Sequence, residues 1–267
     1  MSHAAASTPA GYVRLDGARG ARIVALSDCA EAVAKLMAGG TLYDVAARLR
    51  HGPVFQGRAP AYGLRLERAA GEPLHVVVRH NWHGGALARI TGDRFLGAGR
   101  TDLELAASIR LRDAGVPTPR VVATVIYPAG PGFSRADVAT ELVTSARDLG
   151  ACLEDDDLAQ RQRALAATGA LLDLMTAAGA RHHDLNAKNV LIHAPRDDAW
   201  TAYLLDVDRV QFLPPRDASV TAGNVDRLLR SIDKRRRLLG ARVTDGELAA
   251  LRDRRTGASR PRPPHPN

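Results

Sequence analysis

The sequence predicts an α+β fold in two parts, a β-rich first part with one main helix and an α-rich second part. Two observations carry this. Between about residues 52 and 143 the apolar residues come in short, Val-rich runs separated by turn residues. After Ser145 they recur at helical spacing, interrupted by a polar loop that leads into a short strand. The 267 residues are 45% hydrophobic, enough to bury a sizeable core, which excludes disorder throughout. Cys29 and Cys152 are too few and too far apart for a disulfide-built scaffold or a thiolate metal site, and they suit a reducing compartment.

Residues 61–66 and 74–80 read as strands with AAGEP as the turn between them, and three successive valines suit a buried strand. Residues 101–114 read as a helix with Leu103, Ala106 or Ala107, and Leu111 along its apolar stripe. Asp102 and Glu104 in its first turn complement the helix dipole. Gly115 ends it, and Pro117 and Pro119 force an extended exit. Residues 121–125 and 138–143 read as strands. Residues 158–178 form an amphipathic helix with Leu165, Leu172 and Met175 on one stripe. Short strands follow at 190–193 and 203–207 with a turn at Asp197 and Asp198, then helices at 224–239 and 245–252. The expected organisation is a flexible N-terminus (1–20), a nucleotide-binding lobe (21–143), a catalytic and acceptor-binding lobe (144–252) and a disordered tail (253–267). The first residues lack the basic start and apolar run of a secretory signal. The longest apolar stretch, 164–180, is too short and too polar to span a bilayer.

The formal net charge is +8, and of 37 cationic residues only Lys35, Lys188 and Lys234 are lysines. An Arg excess beside abundant Ala is what a GC-rich genome supplies through its codons, so the basicity does not argue for nucleic acid, and no such partner is expected. An anionic membrane surface or a phosphorylated substrate suits the charge equally.

The most informative segment is HHDLNAKN, residues 182–189. Phosphoryl transfer to a hydroxyl needs a carboxylate to accept or orient the hydroxyl proton, and oxygen ligands for Mg²⁺ beside the phosphates. Asp184 suits the first task and Asn189 the second. Asp206, after an apolar run in LLDVD, supplies the second metal ligand, while Asp208 either binds metal or braces the loop, with bracing favoured. In the first part, Gly57 and Arg58 lie in a turn that is either an ordinary connection between strands or a cover for nucleotide phosphates. Arg79 ends a strand and can pair with the phosphates and with Glu104. Glu141 stands where a linker between lobes would offer backbone groups to adenine. His182, His183 and His193 lack the carboxylate-backed spacing of a zinc site and read as structural.

This order of Gly turn, strand cation, helix Glu, H-x-D-x-x-x-x-N and D-x-D resembles the bilobal protein-kinase-like fold. It is most similar to the lipopolysaccharide core kinases that act on 3-deoxy-D-manno-octulosonic acid (Kdo). The stretches VVVRHNWHGGALARITGDRFL, LRDAGVPTP, ATELV, HHDLNAKNVLI, LLDVDRV and NVDRLLRSIDK carry the resemblance over roughly residues 55–234. It implies ATP- and Mg²⁺-dependent phosphorylation of the Kdo 4-hydroxyl on Kdo-lipid A, at the cytoplasmic face of the bacterial inner membrane. Carried over by residue, Asp184 is the catalytic carboxylate, Asn189 and Asp206 bind metal, and Arg79 with Glu104 forms the phosphate-side ion pair. Protein kinases have Lys at the place of Arg79, Arg at that of His183 and Phe-Gly at that of Val207-Asp208, which argues against their style of regulation. His83, Arg89, Arg94 and Arg100 form a cationic region that either meets the carboxylate and phosphates of the acceptor or is simply solvated. The basic face of the 224–239 helix, with Arg227, Arg230, Lys234 and Arg237, is either an ordinary solvated face or a dock for anionic lipid headgroups. A heptose kinase of the same core shares every catalytic residue and stays open as an alternative, as does an inactive membrane-associated scaffold, against which the complete Asp184, Asn189 and Asp206 set argues.

Overall fold

A computed structural model describes residues 8–56, 59–82, 93–96, 99–195 and 199–255. Its chain divides into two compact units, residues 1–106 with 120–142, and residues 107–119 with 143–267. Each has its own apolar core.

The first unit is built on an antiparallel sheet. Its strands are β1 (Tyr12–Asp16), β2 (Arg22–Leu26), β3 (Val54–Phe55), β4 (Ala61–Leu66), β5 (Leu74–His80), β6 (Phe95–Leu96), β7 (Val121–Pro128) and β8 (Phe133–Glu141). They run in the order β1-β2-β7-β8-β5-β4-β3, with β6 paired to β8. Val76 and Val78 of β5 enter the core while Arg79 takes the opposite face, as the two-residue period requires. Two helices, α1 (Ala30–Met37) and α2 (Leu42–Leu49), cover the core with Val33, Met37, Leu42 and Ala46. Thr41 caps α2 by accepting the Asp44 N–H at 3.1 Å.

Helix α3 (Gly99–Asp113) begins in the first unit and ends in the second. Its buried stripe differs from the expected one. Thr101, Glu104, Leu105, Ser108 and Leu111 are buried, whereas Leu103 is 64% exposed. Polar residues take stripe positions because Glu104 has a cationic partner in Arg79. Gly115 closes the helix at φ 75°, and the Val116 N–H reaches back to the Leu111 carbonyl at 2.9 Å.

The second unit contains β9 (Ala146–Asp148), α4 (Leu149–Leu153), α5 (Leu158–Ala177), β10 (Ala180–His182), β11 (Val190–His193), β12 (Thr201–Leu204), β13 (Val210–Phe212), α6 (Ala218–Leu239) and α7 (Asp245–Arg255). Strands β12-β11-β9 form one small antiparallel sheet and β10-β13 another. Leu165, Leu172 and Met175 of α5 pack in the core with Leu111, Leu185, Leu204, Val225 and Leu228. Gly179 turns the chain from α5 into β10 at φ 68°, where any Cβ would collide with the Leu213 carbonyl oxygen.

Four expectations are corrected here. The N-terminus is not flexible throughout residues 1–20, because the alternating YVRLD pairs with β2 from Tyr12 onward. The first unit has α1 and α2 besides its one expected helix. The strand expected at 203–207 ends at Leu204, because Asp206 turns into the left-handed region and Val207–Arg209 form a 3₁₀ turn. The last helix runs to Arg255, past the expected start of the tail at 253. The turn at Asp197 and Asp198 lies outside the described residues.

Candidate active site

In the second unit, the polar loop between β10 and β11 is organised around His182, whose ring is fully buried. Its Nδ1 accepts the Asp184 N–H at 3.1 Å, so Nε2 carries the proton. Nε2 donates to the carbonyls of Leu205 and Asp206 at 3.2 and 3.1 Å. Burial holds the His182 pKa below the ordinary imidazole value, against the pull of those carbonyls and of the Asp206 and Asp184 charges, which keeps the ring neutral.

The Asp184 carbonyl accepts Nδ2 of Asn186 at 3.0 Å and Nδ2 of Asn189 at 2.9 Å. The Asn189 carbonyl accepts the Leu205 N–H at 2.9 Å. Asp184, Asn189 and Asp206 thus belong to one circuit of hydrogen bonds closed through His182. The Asp184 and Asp206 side chains are exposed and Asn189 is 7% exposed. With its amide nitrogen committed to the Asp184 carbonyl, Asn189 has Oδ1 left as the side-chain atom that could hold a metal. The set offers oxygen donors alone, which fits a hard cation such as Mg²⁺.

Asp206 sits at φ 53° and ψ 47°, a conformation that costs an Asp roughly 1–2 kcal/mol. Neighbours fix it there. The Leu204 N–H donates to the Pro117 carbonyl at 2.9 Å, and the buried Thr118 hydroxyl donates to the Leu204 carbonyl at 2.8 Å. The Asp208 side chain is 6% exposed and lies 3.8 Å from Arg209 Nε within the same turn, a setting that suits bracing. His183 bonds Gln211 at 2.8 Å and His193 bonds the Thr144 carbonyl at 2.7 Å, so the three histidines go to separate partners.

Helix α6 holds this loop through two residues that sequence reasoning left without a role. Asn224, fully buried, accepts the His182 N–H and donates to the Ala180 carbonyl, both at 2.9 Å. Seven residues on, Ser231 Oγ accepts the Ala187 N–H at 3.1 Å. The readable signal was a polar pair two helical turns apart beside the apolar stripe of Leu228 and Ile232.

In the first unit, Arg79 lies one residue before the end of β5, with one nitrogen on Asn81 Oδ1 at 2.7 Å and another paired with Glu104, which is almost wholly buried. Arg79 and Glu104 are therefore brought together as the spacing suggests. Glu141 is not part of that pair. Its carboxylate is held by Arg120, and its N–H donates to the Arg120 carbonyl at 2.9 Å. Its N–H is thus engaged inside the sheet and does not donate to adenine. Gly57, Arg58, His83 and Arg89 lie outside the described residues, as does the side chain of Arg100, and Arg94 is exposed.

The family model of the lipopolysaccharide kinase (Kdo/WaaP) family matches residues 61–250. The chain belongs to this family. It is 31% identical over 196 residues to a 3-deoxy-D-manno-octulosonic acid kinase of Actinobacillus succinogenes, covering 72% of this chain and 79% of that one. It is 33% identical over 181 residues to the kinase of the same name from Xanthomonas axonopodis pv. citri, covering 66% and 69%. A solved structure titled WaaP in complex with acyl carrier protein has the same fold at a TM-score of 0.51 and 20% identity, covering 85% of this chain and 86% of that one. This member of the Kdo/WaaP kinases is accordingly a phosphotransferase with an alcohol group as acceptor, and its family implies ATP as donor.

Proposed function

We propose that this Kdo/WaaP-family kinase phosphorylates the 4-hydroxyl of the Kdo sugar on Kdo-lipid A, a step of lipopolysaccharide inner-core synthesis. The observation that carries the reading is the circuit joining Asp184, Asn189 and Asp206 through His182. Asp184 takes the acceptor hydroxyl proton as the oxygen attacks the γ-phosphorus and the bond to ADP breaks. Asn189 Oδ1 and Asp206 would hold Mg²⁺, which would supply charge neutralisation on the phosphates. His182, neutral and buried, keeps the two acidic segments in place without competing for the proton. Arg79 steadies ATP phosphates with a planar cation whose direction Glu104 and Asn81 fix. The protein works at the cytoplasmic face of the inner membrane as a peripheral enzyme, drawn to anionic lipid by its net charge of +8. Among the described residues no helix is long and apolar enough to cross a membrane.

Transfer of labelled phosphate from ATP, with Kdo-lipid A and heptosylated acceptors compared side by side, tests this. Phosphate is expected on Kdo at its 4-hydroxyl, and Asp184→Ala or Asp206→Ala should lower turnover about 10³-fold or more while the protein stays folded. Labelling of heptose alone would transfer the reading to a heptose kinase. Full turnover in either variant would remove its assigned role.

A further inference from the structure

Helix α6 carries four cations on its solvent face, Arg227, Arg230, Lys234 and Arg237, all exposed. Among the described residues they make no ion pair and no side-chain hydrogen bond, unlike their neighbours. Arg235 pairs with Glu154 at 2.6 Å and Arg236 with Asp245 at 2.8 Å. The helix's own acids are engaged with other partners, Asp226 with Arg255 at 2.7 Å and Asp233 with Arg236 at 3.5 Å. Positive charge on this face is therefore left without internal compensation.

Its position gives the charge a purpose. Ser231, which accepts the Ala187 N–H at 3.1 Å, anchors α6 to the loop that carries Asp184 and Asn189. Arg227 stands four residues before Ser231 and Lys234 three after, so both share its side of the helix, and Arg230 adjoins it. The next residue of the loop after Ala187 is Lys188. It is exposed, also without a side-chain partner among the described residues, and its backbone is fixed by the Asn186 side chain at 3.0 Å. Lys188 thus follows the loop residue that α6 holds, and Lys234, another of the chain's three lysines, stands three residues from the serine that holds it. The acceptor under the proposed function carries a sugar carboxylate and phosphates.

Resting on that function, we propose that Lys188, Arg227, Arg230 and Lys234 bind the anionic groups of the glycolipid acceptor itself and so set specificity for an acidic acceptor. A bilayer of anionic lipid would feel the same charge, but Lys188 lies within the loop that holds Asp184, which favours the molecule being phosphorylated.

The test uses the full chain, its Arg227→Gln/Arg230→Gln/Lys234→Gln variant and its Lys188→Gln variant. Kinetics are measured with Kdo-lipid A in neutral detergent micelles, and again with phosphatidylglycerol added. In neutral micelles the acceptor KM is expected to rise about tenfold in each variant, the scale of one or two lost charge-assisted contacts. The KM for ATP and acceptor-free ATP hydrolysis should stay within about twofold of wild type. An unchanged acceptor KM in neutral micelles overturns the proposal, and so does a defect seen only with phosphatidylglycerol, which would assign the surface to the bilayer. Binding of fluorescent Kdo-lipid A in neutral micelles is measured in parallel. If wild type binds but does not phosphorylate it, the proposed function fails, while weaker binding by the variants still upholds this surface and equal binding refutes it.

Discussion

Asp137 has no exposed surface, yet three groups reach its carboxylate: His80 Nδ1 at 2.6 Å, the Tyr127 hydroxyl at 2.8 Å and the Tyr43 N–H at 2.9 Å. His80 Nε2 lies 3.2 Å from Asp93, which pairs with Arg135 at 2.7 Å. Burial opposes a charged His80 ring, but Asp137 and Asp93 outweigh it and raise the pKa. The folded value therefore lies above the unfolded one near 6.5, and the stabilisation is complete below the unfolded pKa and lost as pH rises through the folded one. Denaturant midpoints should fall across that window in wild type and stay flatter in His80→Gln, and NMR titration of the ring should place its pKa above that of a free imidazole. A ring that titrates at or below the free value would contradict the sign. His80 is adjacent to Arg79, so the same strand end carries both a stability switch and the cation proposed for the ATP phosphates. That Asp184, Asn189 and Asp206 come together was legible, because Asp184 and Asn189 lie five residues apart and Asp206 closes an apolar run that follows them. The grouping around Asp137 was not legible, because its partners come from β5, β7 and α2.

Among the elements, α6 is distinguished by what its two polar side chains replace. Asn224 and Ser231 serve backbone groups that the loop around Asp184 cannot satisfy within itself. Removing Asn224 strands two buried groups at about 1–3 kcal/mol each, a cost large enough to affect folding. Ser231 is the cleaner probe. Ser231→Ala should lower kcat about tenfold with both KM values nearly unchanged, since a slightly misplaced loop harms the reaction more than binding. Ser231→Thr, which keeps the hydroxyl, should recover most of it, whereas equal losses in both variants would mean that the hydroxyl does not matter. Periodicity found the strand at 190–193 and the helix at 158–178 almost to the residue, because apolar burial alone defines them. Along α3 it found Ala107 and Leu111, both buried, and missed by one position at the start of the stripe. Leu103 is the residue that hydropathy favours, but Glu104 is the one buried, and its partner Arg79 lies 25 residues earlier, beyond any local pattern. The hairpin of β1 and β2 was missed, although YVRLD alternates, because its charged positions lower the average hydropathy of so short a run.

At the level of the whole chain, each unit is assembled from separate pieces. Residues 107–119 count with the second unit although first-unit residues flank them on both sides. Leu111 and Val116 are fully buried in the second unit's core, and Pro117 with Thr118 pins Leu204, two residues before Asp206. Cutting the chain after Leu142 therefore removes part of that core. Expressed alone, residues 143–255 should melt without a cooperative transition, and adding a peptide of residues 107–119 should restore one, as calorimetry would register. A sharp transition in the bare fragment would show that the peptide is dispensable. During synthesis, the thirteen residues needed to seat the aspartate turn leave the ribosome long before the turn itself. They must wait, with their apolar side chains unshielded, until more than eighty further residues have emerged.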